Sequence, residues 1–224
     1  MTDAAPSAVL FDIDGTLVDS NFLHVHAWTL AFAEAGHPVD AWRIHRRIGM
    51  GSGRLLDELL GDDADRLADD VKERHTAHYA ELADQLRPFA GAQDLVRMLA
   101  DRGLRVVLST SAAPDEVEKL RAVLDVDDLV QVTGADDVEE AKPEPDLVQA
   151  ALELADVPAE RAVFVGDSVW DVAAAGRAGV VCIGVLSGGT SEAELLDAGA
   201  ATVVEDAAAL LRDLDATPIG ALLR

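Results

Sequence analysis

Two aspartates spaced by one residue, in Asp12-Ile13-Asp14-Gly15-Thr16, close a short apolar run, Ala8-Val9-Leu10-Phe11. A run of this length that ends at a glycine reads as a buried strand. The carboxylates then stand where a parallel strand empties into a loop, which is where open α/β sheets bind ligands. Gly15 lets the chain bend sharply just after them. Two like charges this close raise one carboxyl pKa, and a hard, oxygen-liganded cation such as Mg2+ removes that penalty. An EF-hand loop is excluded, because it needs Gly at position six and Glu at position twelve. Counting from Asp12, the twelfth residue is Leu23. A lone Asp after a strand also serves as a turn former or helix cap, so the pair acquires meaning only alongside other residues.

Three further segments supply them. Thr110, followed by Ser111, ends the run 104–110; a hydroxyl there can hydrogen-bond a phosphoryl oxygen, or cap the helix after Pro114. Lys142 lies in Ala141-Lys142-Pro143-Glu144-Pro145 and is the sole lysine from residue 120 onward, in a chain that otherwise uses arginine. A point ammonium suits neutralising the charge of a phosphoryl-transfer transition state, although a lone lysine is more often solvated. Gly166-Asp167-Ser168-Val169-Trp170-Asp171 gives another aspartate at a strand end and one more a helical turn later. Asp167 can complete a cation's oxygen shell. Asp171 either supports that shell from behind or favours the helix dipole.

The elements that must position these residues follow from periodicity and breakers. After the first strand, helices are predicted over 22–35 (capped by Ser20 or Asn21, stopped by Gly36), 41–47, 54–60 and 63–86, with no strand signal before Pro88. From residue 92 helices and strands alternate. Helices are predicted at 92–102, 115–124, 145–154, 169–178, around 195–198 and at 207–214, and strands at 104–110, 129–133, 162–166, 180–184 and 201–204. Such alternation predicts an α/β fold, a parallel sheet with helices on both faces and right-handed crossovers. A Rossmann-like core of residues 1–18 and 88–224 is expected, with an all-helical cap, 19–87, inserted on the side where Asp12 ends its strand.

Composition narrows the partners. The chain has 224 residues, half of them apolar but only 4% aromatic, so a core rich in Ala, Val and Leu is expected. The net charge of −24 argues against nucleic acid or an anionic membrane as partner. Only three of the 18 basic residues are lysines, a bias that fits either a high-salt cytoplasm or an arginine-preferring genome. The single cysteine, Cys182, reads as a buried small hydrophobe in a reducing compartment. No signal peptide and no apolar run of transmembrane length are found. A cytoplasmic protein, monomer or homodimer, is expected.

Taken in order, Asp12-x-Asp14-Gly15-Thr16, Thr110, Lys142-Pro143 and Gly166-Asp167-Ser168-x-x-Asp171 resemble the four motifs of the haloacid dehalogenase superfamily of phosphohydrolases, over nearly the whole chain. The helical insertion resembles the cap of the phosphoglycolate phosphatase and β-phosphoglucomutase branch. The resemblance implies Asp12 as nucleophile, ionised at neutral pH without a separate base, and Asp14 as acid then base. It implies Mg2+ held by the Asp12 and Asp167 side chains and the Asp14 backbone carbonyl. Thr110 and Lys142 would hold the transferring phosphoryl oxygens. A small phosphorylated metabolite is the implied substrate, touched by His24, Ser111, Arg47 and the loop from Gly49 to Gly53. Arg47 suits a second anionic group, or is one of two solvated helix charges with Arg46. His75 and His78 are expected on a solvated helix face, and Trp28 in the cap core. A dehalogenase is disfavoured by the presence of Asp14. The nearer rival, a sugar phosphomutase, carries an acidic residue where this chain has Gly166. A phospho-ligand-binding module without activity is the third reading.

Overall fold

The computed structural model describes residues 6–134, 138 and 140–223. Most of the acidic run 136–140, whose composition reads as solvated negative surface, lies outside them. In chain order the elements are β1 (Ala8–Phe11), α1 (Asn21–Glu34), α2 (Ala41–His45), α3 (Ser52–Leu60), α4 (Ala64–Glu81), α5 (Ala92–Asp101), β2 (Arg105–Ser109), α6 (Pro114–Leu124), β3 (Val130–Thr133), α7 (Asp146–Ala155), β4 (Ala162–Gly166), α8 (Val169–Arg177), β5 (Val181–Val185), α9 (Glu192–Ala198), β6 (Thr202–Val204), α10 (Ala207–Asp213) and α11 (Pro218–Leu222). The six strands form one sheet in the order β3-β2-β1-β4-β5-β6, with every neighbouring pair parallel.

The period of two along each strand divides the core. Val9 and Phe11 of β1 join Val106, Leu108, Val163 and Val165 on one face, covered by α5, α6, α10 and α11. Ala8 and Leu10 join Val107, Ala162, Phe164 and Cys182 on the other, covered by α7, α8 and α9. Strands buried on both faces explain why these runs are continuously apolar rather than alternating. Cys182 is buried and its thiol is free.

Helices α1 to α4 have an apolar cluster of their own. Trp28, Ala31 and Phe32 of α1 meet Leu55, Leu56 and Leu59 of α3 and Leu67 and Val71 of α4. The chain enters and leaves this block side by side: Val18 bridges antiparallel to Pro88, and the Asp19 N–H donates to the Arg87 carbonyl at 2.9 Å. Among the described residues no helix is long and apolar enough to cross a membrane.

Beyond small shifts at element ends, three features differ from expectation. The helix predicted to 86 ends at Glu81, and a separate 3-10 turn, Ala83–Gln85, carries the chain to Pro88. Helix α11 was not foreseen; Pro218 at its first position and the Thr217 hydroxyl, which accepts from the Ile219 N–H at 3.3 Å, set its start. Ser20 does occupy the N-cap of α1, but its hydroxyl donates to Asp14 at 2.6 Å instead of accepting from the helix.

Candidate active site

Strand register assembles the site. Phe11 pairs with Val165 on one side and Leu108 on the other, so the chain leaves β1, β4 and β2 side by side at Asp12, Asp167 and Thr110. The Asp12 N–H donates to the Val165 carbonyl at 2.9 Å, extending the ladder by one bond before the chain turns. The turn itself runs through Gly15 at φ +75°, where a Cβ would lie 2.3 Å from the Asn21 amide. Only glycine fits there.

Oxygens of Asp12, Asp167 and Asp171 lie within 4.8 Å of one another, and all three side chains are buried. Lys142, expected to be exposed if it had no role, is 0% exposed. Its ammonium donates to Asp12 Oδ1 and lies 2.7 Å from Asp171 Oδ1. Asp171 therefore does more than complement a helix dipole. It closes a capping box with Ser168, taking the Ser168 N–H at 3.0 Å, and turns its other oxygen to Lys142. This arrangement leaves no space at position 166: a Cβ on Gly166 would sit 2.5 Å from the Asp171 Cβ. Asp167 is steadied by the Thr16 hydroxyl at 3.2 Å and the Asn21 amide at 2.8 Å.

The charge balance favours a cation. Burial, then Asp171, pushes the Asp167 carboxyl up to about 8. Burial also raises Asp12 well above the ordinary carboxylate range; Lys142 opposes the rise, and Asp171, Asp167 and Asp14 add to it. One ammonium cannot balance three buried carboxylates, whereas a hard divalent ion can. The Asn21 side-chain oxygen points the same way, being buried with no protein partner while its amide holds Asp167. A donor set of carboxylate oxygens with an unsatisfied amide oxygen nearby fits Mg2+ and its water shell.

Asp14 faces away from this cluster. It accepts from Ser20 at 2.6 Å and from Thr110 Oγ1 at 3.3 Å, and lies 3.5 Å from His24 Nε2. Burial would raise its carboxyl, but the contacts with His24 and Ser20 bring it below its ordinary value. His24 moves oppositely: burial would lower it, and Asp14 raises it. The other His24 nitrogen, Nδ1, is 3.2 Å from His75 Nε2. His75 is buried, not solvated as expected, and burial drives it down to about 2, so it is neutral. Its ring stacks on Trp28 at 3.8 Å, while the His24 ring stacks on Tyr79 at 3.9 Å. The signal for His75 was present in the sequence, since Leu67, Val71, His75 and Tyr79 form a buried stripe at i, i+4 spacing. His78, by contrast, is partly exposed and pairs with Glu34 at 3.1 Å.

Asp12 and Asp14 open into a cavity of about 100 Å³ between the sheet edge and the helical block. His24, Arg47, Gly49, Thr110 and Ser111 all line it, as do Trp28, Lys72, His75 and Glu116. The Ser111 hydroxyl is buried with no partner, a donor free for a ligand. Thr110 does not cap α6, whose N-cap is Ala113; its oxygen accepts the Ala112 N–H at 3.0 Å. Arg47 is neither fully solvated nor free, because its Nε donates to Glu58 at 2.9 Å and its Nη1 to the Arg43 carbonyl at 3.2 Å.

Comparison with known proteins agrees with this geometry. Residues 6–179 match the family model of the haloacid dehalogenase-like hydrolases. Phosphoglycolate phosphatase of Rhodospirillum rubrum is 35% identical over 218 residues, 92% of this chain and 89% of that protein. The crystal structure of a hydrolase from Pseudomonas syringae superposes with a TM-score of 0.90 at 36% identity, covering 94% of this chain and 98% of that one. CbbY from Rhodobacter sphaeroides, solved with phosphate, gives a TM-score of 0.76 at 29% identity, over 92% and 96% of the two chains. A parallel sheet that brings its strand-end aspartates together, and a match across most of the length, lead to one assignment: the chain belongs to the haloacid dehalogenase-like hydrolases, among the phosphatases that resemble phosphoglycolate phosphatase.

Proposed function

We propose that the chain is a Mg2+-dependent phosphatase that hydrolyses a small phosphorylated metabolite through an aspartyl-phosphate on Asp12. The observation that carries this reading is the position of the Asp12 carboxylate. It touches the Lys142 ammonium, shares an oxygen cluster with Asp167, and opens into a cavity of metabolite size. Asp12 and Asp167, with the Asp14 backbone carbonyl, would hold the ion, which when bound supplies charge neutralisation for the nucleophile and the phosphoryl oxygens.

In the first half-reaction an Asp12 oxygen attacks phosphorus and the ester P–O bond breaks. Asp14 hands a proton to the leaving oxygen. Their contact lowers Asp14 and raises His24, which favours the proton on the His24 side, from which Asp14 can draw it. His24 Nδ1 shares a hydrogen bond with His75 Nε2 at 3.2 Å, which fixes the plane of the His24 ring. In the second half-reaction Asp14 takes a proton from water, the water oxygen attacks phosphorus, and the bond to Asp12 breaks to release phosphate. Lys142, Thr110 and Ser111 hold phosphoryl oxygens, so catalysis is chiefly positioning and charge neutralisation. Residues 19–87 act as a cap over the core of 1–18 and 88–224, with His24, Arg47 and Gly49 as its contributions to the substrate site.

Hydrolysis is favoured over phosphomutase chemistry by Gly166, because Asp171 fills the space that an acidic side chain at that position would need. The test is release of phosphate from p-nitrophenyl phosphate and from a panel of phosphorylated metabolites, with Mg2+ and with EDTA. Mg2+-dependent release is expected. Isomerised sugar phosphate without free phosphate would make the chain a mutase, and no turnover of any ester would make it a binding module.

A further inference from the structure

In the sequence Asn21 reads only as one of two candidate caps for α1. In the fold it is the first residue of α1, after the N-cap Ser20, and its side chain reaches across to the end of β4. The residue is 4% exposed. Its Nδ2 donates to Asp167 Oδ2 at 2.8 Å and to the Gly188 carbonyl at 3.3 Å. The amide cannot be turned over, because its oxygen would then face two acceptors. Its anchors are themselves held. The Gly188 carbonyl also accepts from His45 Nε2 at 2.9 Å, and Gly15 packs against the amide with no space for a Cβ. Asp167 has no room to drift toward residue 188, where a Cβ would overlap its Oδ2. The other Asp167 oxygen is restrained by the Thr16 hydroxyl at 3.2 Å, a longer contact than that with Asn21. The closer clamp on this carboxylate is therefore carried by the helical block and not by the strand ends. The Asn21 oxygen is buried with no partner among the described residues. It shares a carbon with the nitrogen that holds Asp167, and a water carried by an ion on that carboxylate would be the donor it lacks.

We infer that Asn21 is a positioning residue for the metal: its amide fixes the Asp167 carboxylate in the orientation that holds Mg2+, and without that amide the ion binds more weakly. The inference rests on the Mg2+ site of the phosphatase reading above and adds to it a residue that touches no reacting atom. Hydrogen-bond partners of ligating side chains typically carry 10–100-fold in metal affinity, because they remove the freedom of the ligand to turn away.

Melting temperature followed against Mg2+ concentration gives the Kd of the ion without any substrate present. It would be measured for wild type, Asn21→Ala and Asn21→Leu, each starting from metal-free protein. Ala leaves a space that a water can enter to donate to Asp167 in place of the amide. Leu fills that space and excludes the water. The Mg2+ Kd is expected to rise about tenfold in Asn21→Ala and toward 100-fold in Asn21→Leu. A residue with a purely structural role would lower the melting temperature of the metal-free protein and leave the Kd where it was. A Kd within about threefold of wild type in Asn21→Leu, or in Asn21→Ala should the Leu variant not fold, overturns the inference while the phosphatase reading stands. A wild type whose melting temperature does not respond to Mg2+ removes the metal site of that reading and the inference with it.

Discussion

Asp12 and Lys142 form a pair whose two members fail differently when removed. Asp12→Asn keeps the shape of the side chain and its hydrogen bond to Lys142 but removes the nucleophilic charge. Phosphate release should fall roughly 10⁴-fold or more, as for other nucleophiles that act in a unit, while the melting temperature is retained; activity within tenfold of wild type would take Asp12 out of that role. Lys142→Leu leaves Asp12 and Asp171 facing each other in a dry site. Breaking a buried pair from one side costs about 3–5 kcal/mol, so metal-free Lys142→Leu should melt well below wild type in urea or heat. An unchanged midpoint would mean that water reaches the cluster. Asp12 was legible because it follows a strand just before a glycine turn, and Lys142 because it stands beside a proline, a rare lysine in a chain that uses arginine. Asp171 was only half legible. Its place in the first helical turn pointed to the metal shell or the helix dipole, but nothing local announced that one of its oxygens meets a lysine 29 positions earlier.

The elements were mostly legible, and the exceptions share a cause. Period and breakers located all six strands and all the helices from α1 to α10, with ends displaced by a few residues. Short α11 and the early end of α4 depend on tertiary contacts, as Ile219 is buried in the main core and Tyr79 stacks against His24 from another helix. His75 was misplaced for a related reason. The stripe Leu67, Val71 and Tyr79 placed it on the buried face, but the polar composition of the helix outweighed that signal, and what covers His75 comes from α1 as Trp28 and His24. That burial has a consequence at low pH. His75 titrates near 2 when folded and near 6.5 when unfolded, so the unfolded chain binds the extra proton between those values. Its contribution to stability is therefore complete above about pH 6.5 and is lost as the pH falls. His75→Phe retains the stack on Trp28 and has nothing to protonate. The gap in stability between pH 7 and pH 5 should shrink by about 1–2 kcal/mol relative to wild type, at 1.36 kcal/mol per unit of pH. Equal acid sensitivity of the two proteins in paired urea titrations would show that His75 is already hydrated.

At the scale of the whole molecule, four buried or nearly buried carboxylates converge on one end of the sheet against a single lysine, in a chain of net charge −24. The fold holds this excess charge in place through the ladder of β1 with β4 and the capping box of α8, and folding without a cation is the less favourable for it. The sign follows from Asp167. Its carboxyl titrates near 8 in the folded protein and near 3.9 unfolded, so the folded state binds more protons in between. Stability must fall as pH rises through that window. Between pH 6.5 and 8 Asp167 titrates in the folded state, His24, which Asp14 holds above its ordinary value, adds a decline of the same sign, and the end of the His75 titration in the unfolded chain opposes both. Metal-free protein should lose up to about 2 kcal/mol over those 1.5 units, a few degrees in Tm for a chain of this size. Under the proposed function Mg2+ would bind the ionised site and not the unfolded chain, and at a hundredfold excess over its Kd would add about 2.7 kcal/mol. The added stability should grow toward pH 8, because below that the ion must displace protons. Melting curves at pH 6.5 and 8, each with EDTA and with Mg2+, read both effects together. If the decline with pH is the same with and without Mg2+, the carboxylates at the ends of β1 and β4 do not form a metal site, and the proposed chemistry loses its cation.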